Sequence, residues 1–334
     1  MAPQYDVYAI GNALVDMEFE VHDSFFKDHS IDKGLMTLVD EDRQNSLMSA
    51  LHTKIKNRQC GGSAANTIIA VSQFGAKGFY SCKVSSDELG DFYFKDLVDA
   101  GVDTNLQSQK RQDGITGKCL VMITPDAERT MNTFLGITQT LSKEEVAADA
   151  IKKSSYVYME GYLVTSPTGK AAAIHAREVA ELNNVKTALT FSDVNMVKFF
   201  KDGLVEMMGP KGVDLLFCNE AEALAYTETA AINDAREALK KIAKNFVITL
   251  GENGAIIWDG TTFIDIEPYQ VKAVDSNGAG DMYAGAFLYG ITQGQTLAGA
   301  GKLASMAASK VVSQFGPRLR PDQALTIRQQ VYGK

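Results

Sequence analysis

The sequence predicts an α/β fold: a mostly parallel sheet with helices on both faces, forming three layers, and a small β lid at one end. Three observations predict it. Short β-branched and apolar runs alternate with longer amphipathic segments along most of the chain, an order that builds parallel sheets under helical cover. Several of those runs are apolar without interruption, as strands buried on both faces require. Two stretches, Val15–Val39 and Asp113–Phe134, break the rhythm with alternating and charged residues and no long helix. They predict antiparallel lid strands, although ordinary surface hairpins carry the same pattern.

Taken in order, strands are expected at Val7–Ile10, Gly78–Cys82, Lys118–Ile123, Tyr156–Met159, Thr187–Phe191, Leu215–Cys218, Phe246–Leu250 and Ala255–Trp258. Thr168–Leu182, Asn233–Lys244 and Met282–Ile291 carry apolar residues at helical spacing, so helices are expected there. No repeat, low-complexity tract or Pro/Ser-rich linker divides the chain, and residues 1–334 are expected to form one α/β unit.

Composition narrows the function. Hydrophobic residues make up 45% and charged residues 22%, an ordinary globular balance. A net charge of −8 argues against nucleic acid or an anionic membrane as the main partner, since both reward a basic face. No apolar run approaches the roughly 20 residues of a membrane helix. The start, Met1-Ala2-Pro3-Gln4-Tyr5-Asp6, lacks the basic and apolar regions of a signal peptide, so a cytoplasmic location is expected. The four cysteines (Cys60, Cys82, Cys119, Cys218) form no CxxC and read as reduced structural thiols.

The most informative segment is Val274-Asp275-Ser276-Asn277-Gly278-Ala279-Gly280-Asp281, directly before a helical pattern. Gly278 and Gly280 let a ligand approach the main chain closely. The first N–H groups of the following helix lack internal partners and sit at the positive end of its dipole, which makes an anion site. Asp281 beside it can accept the proton of an attacking hydroxyl; the same residues also suit a plain helix cap after a glycine turn. No GxxxxGK[ST] occurs, and the glycine pair lacks the third glycine of GxGxxG, so a P-loop and a dinucleotide fingerprint are both excluded.

A second constellation follows the first strand. Gly11-Asn12-Ala13-Leu14-Val15-Asp16 puts Asn12 and Asp16 where α/β sheets bind ligands, and the two together can satisfy neighbouring hydroxyls. Cys60-Gly61-Gly62-Ser63-Ala64-Ala65-Asn66 then opens a helix, with Asn66 able to reach back to a ligand packed against the glycines. Each segment alone also reads as a turn with a capping residue.

In this order and separation the motifs resemble those of the PfkB (ribokinase-like) carbohydrate kinases, across nearly the whole chain. Asp275–Asp281 resembles that family's C-terminal signature, with Ser276 for the commoner Thr, and Gly61–Asn66 its N-terminal glycine signature. The resemblance implies a ribokinase-like three-layer sandwich and an ATP-dependent kinase acting on an alcohol. It implies Asp281 as base and Gly278, Ala279 and Gly280 as anion hole. Asn12, Asp16, Gly61, Gly62, Ser63 and Asn66 would hold the acceptor. Asn219-Glu220-Ala221-Glu222 resembles the NxxE motif, with Glu222 organising Mg²⁺ through water, a manner of binding that suits this ion; by itself the segment reads as a helix start. Thr249-Leu250-Gly251-Glu252-Asn253-Gly254 is similar to the nucleotide loop and would place Thr249, Gly251, Asn253 and Gly254 near ATP, with Asn219 close by.

Within the family the segments Gly11–Asp16, Thr116–Cys119 and Glu128–Met131 resemble adenosine kinases. Arg129 would then fold over the site and pair with the transferring phosphate, a task suited to a guanidinium, or remain a surface lid arginine. Tyr162 and Phe19 are the candidates to stack on a purine. Asn195, in Ser192–Asn195, stands where some adenosine kinases offer an aromatic wall, so another nucleoside or a free sugar stays open. Some family members use K⁺, held by carbonyls and an aspartate beside the anion hole; Asp275 and the Ser313–Gly316 turn are the positions to which that would carry. A monomer is expected, with a lid that closes on substrate. The competing readings are a ribokinase- or fructokinase-like sugar kinase, a ligand-binding protein on a kinase scaffold, and a dinucleotide oxidoreductase, which the missing GxGxxG disfavours.

Overall fold

The computed structural model describes residues 3–51, 55–126 and 128–333. Met1, Ala2 and Ala127, on which the N-terminal and second lid readings partly fall, lie outside the described residues. In chain order the strands are β1 (Tyr5–Ile10), β2 (Leu14–Glu20), β3 (Met36–Leu38), β4 (Ile55–Gly61), β5 (Gly78–Ser81), β6 (Val102–Thr104), β7 (Gly117–Ile123), β8 (Arg129–Phe134), β9 (Ser154–Glu160), β10 (Lys186–Thr190), β11 (Val213–Asn219), β12 (Ala243–Thr249), β13 (Ala255–Trp258) and β14 (Phe263–Ile266). They form a nine-stranded sheet, ordered β14-β13-β12-β11-β10-β9-β1-β5-β6, and a five-stranded sheet, ordered β3-β8-β7-β2-β4.

From β6 to β12 every pairing in the large sheet is parallel; β13 and β14 close one edge as an antiparallel hairpin pair. Alternate residues feed two cores. Val7 and Ala9 point into one, and Tyr8 and Ile10 into the other. The first core lies under the helices Ser63–Gln73, Ala279–Thr292 and Leu297–Val312. Pro167–Leu182, Val194–Met208 and Ile232–Leu239 cover the second. This is the three-layer α/β arrangement that the alternation predicts. The chain winds both ways from β1, so the crevice at the carboxyl ends of β1 and β9 is a topological switch point, where open α/β sheets bind ligands.

Two helices matter for the site because they lie unusually close. A Cβ on Gly285 would stand 2.5 Å from Ala70 Cβ and 2.5 Å from the Thr67 carbonyl oxygen. The small residues of Ala279–Thr292 thus let its N-terminus approach the start of Ser63–Gln73. The Ala279–Thr292 helix is anchored to the sheet by packing, with Phe287 edge-on to Phe217 of β11 at 5.6 Å.

The small sheet is not the purely antiparallel lid that the residue alternation suggests. β2 pairs with β7, and β3 with β8, in parallel; only the β2–β4 and β7–β8 pairs are antiparallel. β4 is an edge strand whose first residues face solvent, which is why its polar sequence hides it. The first lid stretch also contains the short helix Asp23–Asp28. The helix expected over Asn233–Lys244 ends at Leu239, because Ala243 already pairs with Val213 in β12–β11. Phe19 is fully buried in the core beneath the lid; its ring has no access to a ligand, which corrects its reading as a stacking residue.

Phe287→Ala removes a buried ring between helix and sheet and should cost about 3–5 kcal/mol of stability. Urea unfolding followed by circular dichroism measures it; a loss near zero would show that the helix does not depend on this contact.

Candidate active site

The crevice holds a cavity of about 360 Å³ walled by both sheets, within the range of small-molecule sites. Its floor is built by the two close helices. Gly278, in the left-handed region at φ 71°, starts the helix that carries Asp281, and a Cβ there would lie 2.3 Å from Pro317 Cβ. Asp281 Oδ1 accepts from Ser63 Oγ at 2.6 Å and Oδ2 from Asn66 Nδ2 at 3.2 Å. Burial pushes its carboxyl up to about 6, against the opposing pull of these two donors. Gly280 lines the cavity, and a Cβ built on it meets no protein atom within 4 Å. Protein packing therefore does not require glycine at 280; the open space beside the helix start suits an anion.

The second wall depends on Glu160, at the end of β9, which the sequence reading passed over. Its Oε1 accepts from the Asn12 amide at 2.7 Å and its Oε2 from the Ala64 amide at 2.8 Å. The carboxylate thereby joins the turn after β1 to the start of the Ser63 helix. Glu160 is fully buried, and that desolvation pushes its carboxyl up to about 7 despite both amides. Gly11 is obligatory here, since a Cβ would fall 2.4 Å from Glu160 Oε2.

Asp16 lines the cavity from β2, packed so tightly on Gly61 that a Cβ there would stand 2.2 Å from Oδ2. Its carboxyl is pushed up to about 7 by burial, partly offset by Arg318 and Arg129. Gly62, at φ 102°, lies against the Asn12 carbonyl, with 2.1 Å from that oxygen to a built Cβ. On the other side Asn219 and Glu222 cap the helix Glu220–Thr227 reciprocally, with both Glu222 oxygens taking Asn219 donors at 3.0 and 2.8 Å. Glu222 is also pushed up to about 7, by burial first. Among the described residues no group of three or more Asp, Glu, His or Cys side chains could hold a metal ion. A Mg²⁺ ion here would draw most of its oxygens from a ligand and water, with Glu222 the nearby carboxylate.

Of the expected nucleotide residues, Thr249 and Asn219 line the cavity. Gly251 and Gly254 adopt φ 60° and 87° in the turn after β12; a Cβ on Gly251 meets no protein atom within 4 Å, and one on Gly254 would stand 2.0 Å from the Ile266 oxygen. Gly251 and Asn253 bound the single helical turn between β12 and β13. Tyr162, just after β9, lines the cavity. Arg129 does not line it. The guanidinium is buried against Asp275, with Glu18 at 3.7 Å; to reach a phosphate it would have to leave both. Tyr283 was not anticipated either. It lines the cavity two residues beyond Asp281, and its hydroxyl is buried without a hydrogen-bond partner among the described residues.

A glycine-flanked helix start beside a buried carboxylate, facing a polar wall, is an arrangement that can serve phosphoryl transfer. The sequence comparisons agree. Residues 35–324 match the model of the pfkB family carbohydrate kinases, and the chain belongs to that family. It is an enzyme that transfers phosphate to a hydroxyl acceptor of the carbohydrate or nucleoside class. The chain is 26% identical over 330 residues to an adenosine kinase of Saccharomyces cerevisiae, covering 92% of this chain and 95% of that one. Among solved structures, an adenosine kinase from Sinorhizobium meliloti superposes with a TM-score of 0.90 at 36% identity. A probable sugar kinase from Rhizobium etli does so with 0.91 at 33%. Each alignment covers 98% of this chain and 99% of the other.

Two glycine substitutions separate packing from ligand space. Gly280→Ala should melt at or slightly above the parent, since alanine is worth up to about 1 kcal/mol more in a helix, yet bind phosphorylated ligand poorly. Gly278→Ala should lose on the order of 1–3 kcal/mol of stability through strain and the Pro317 clash. Thermal melts with calorimetric titration of nucleotide distinguish them; a Gly280→Ala protein that binds normally would mean that the cavity there receives no anion.

Proposed function

We propose that this kinase uses ATP and Mg²⁺ to phosphorylate the hydroxymethyl group of a nucleoside, with adenosine as the first choice and AMP as product. The observation that carries the reading is the make-up of the cavity. Its floor is polar, with Asn12, Asn66 and Asp281 from the body and Asp16 from the near end of β2, and the rest of its lid side is largely apolar, with Met36, Leu38, Met131 and Leu135. A ribose on the floor leaves the base against the apolar side, beside Tyr162, where burial of a flat apolar surface is favourable. A free sugar would leave that side facing water. A sugar kinase remains the second reading, because the floor alone suits a pentose or ketose and the Rhizobium etli relative carries a sugar-kinase description.

In this scheme Asn12, Asp16 and the Gly61–Gly62 main chain orient the acceptor. Asp281 takes the proton of the attacking hydroxyl, and the amides at Gly278, Ala279 and Gly280 face the charge that develops on the phosphoryl group. Thr249 and the Gly251–Gly254 turn lie on the ATP side, with Asn219 and Glu222 disposed toward Mg²⁺ and its water shell. ATP's phosphates supply most of the metal's oxygens. The protein works as a monomer whose lid excludes water during transfer.

Asp281→Asn should lower kcat by roughly 10²–10⁴-fold with little change in ATP affinity; an unaltered kcat would remove this residue from the chemistry. The base must be deprotonated to act, so with its pKa raised to about 6 the rate should hold above that pH and fall progressively below it. A pH–rate profile flat down to the ordinary carboxylate range would contradict the assignment. ADP release measured with adenosine, inosine, guanosine, ribose and fructose decides the acceptor. If ribose or fructose turned over faster than every nucleoside, the sugar kinase would be the correct reading.

A further inference from the structure

Beneath the anion-hole turn lies a charge cluster that the scheme above does not use. Asp275 opens the turn with its side chain 1% exposed, and three donors converge on it: Arg129 Nη2, the Gly316 amide at 2.8 Å and the Asn277 amide at 3.0 Å. Glu18 contributes a second buried carboxylate 3.7 Å from the same guanidinium nitrogen. Arg129 comes from β8 and Glu18 from β2, both in the lid sheet, whereas Asp275 and Gly316 belong to the body.

An alkali cation at this place, as the family resemblance implies, needs oxygen lone pairs turned toward it. Here Asp275 is met by N–H groups on both oxygens, and the Gly316 residue of the expected turn presents its amide donor to the carboxylate. A guanidinium already supplies the positive charge, and a second cation beside it would be repelled in a buried setting. The donor set does not fit K⁺.

We propose that Arg129 is the resident cation of this site: a positioning residue that replaces an alkali ion, holds the Asp275–Gly278 turn in shape, and makes the enzyme independent of K⁺. Nη2 alone makes the contacts to Asp275 and Glu18, so what suits a guanidinium to this task better than an ammonium is its permanent charge, which burial does not titrate away. The inference rests on the kinase reading for its activity test, but not for its melting test.

Initial rates and melting temperatures are compared in potassium, sodium and choline chloride at equal ionic strength. The parent should change by less than about twofold in rate, a difference of general salt effects, with no saturable rise in melting temperature specific to K⁺. Arg129→Met should lose about tenfold or more in kcat with a smaller effect on acceptor KM, and should recover part of that loss in K⁺ but not in choline. Arg129→Lys, which keeps a charge, should lose less and gain no K⁺ response. A saturable K⁺ activation or stabilisation of the parent would overturn the proposal, as would an Arg129→Met protein with unchanged kcat. Should no acceptor turn over at all, the kinase reading falls, while the melting comparison in the three salts still decides this one. If Arg129→Met fails to fold, the parent's response to the three cations decides it alone.

Discussion

The site depends on one buried carboxylate that never needs to touch a ligand. Glu160 receives the amides of Asn12 and Ala64, residues far apart in the chain, one in the turn after β1 and the other in the first turn of the Ser63 helix. Removing charge from water is costly, and the raised proton affinity of Glu160 records that cost. What offsets it is position. With those amides fixed, Asn12 faces the cavity, and the helix from Ser63 presents Ser63 and Asn66 to Asp281 at hydrogen-bonding distance. The approach of the Asp281 helix is in turn permitted by the small residues around Gly285. Each part of the floor is thus located by another part, without a single loop left to find its own place.

The same cavity gathers four carboxyl groups, Asp16, Glu160, Glu222 and Asp281, all pushed upward and all primarily by burial. A cluster of this kind is what a site looks like before its counter-charges arrive. Glu160, Glu222 and Asp281 accept hydrogen bonds only from neutral amide and hydroxyl donors; among the described residues no cation neutralises them. That incompleteness separates a catalytic centre from a structural ion-pair network, in which partners are already matched.

Most of the sheet and the essential turn could be read from the chain, because both are written locally. Continuous apolar runs mark the parallel strands, and Gly278 and Gly280 beside Asp281 mark a helix start with room in front of it. What escaped was decided by distant partners. Glu160 ends an apolar strand and reads as the first residue of a loop; its role exists only once Asn12 and Ala64 are brought beside it. β4 was hidden because an edge strand can be polar. Phe19 reads as a lid aromatic until the pairing of β2 with both β4 and β7 turns it into the core. Arg129 carries the right chemistry for a phosphate, and nothing nearby in sequence shows that Asp275 and Glu18 hold it first.

The lid sheet begins almost where β1 ends: only Gly11, Asn12 and Ala13 separate β1 from β2. Asp16 is therefore part of the jaw, whereas Asp281 is part of the body. In the proposed scheme the group that holds the acceptor and the group that takes its proton thus belong to different sheets and their flanking helices, and their spacing depends on how the two sheets sit against each other. On that scheme a rotation of one sheet against the other would change the alignment of the reacting atoms, and an acceptor too short to touch both would leave them unregistered.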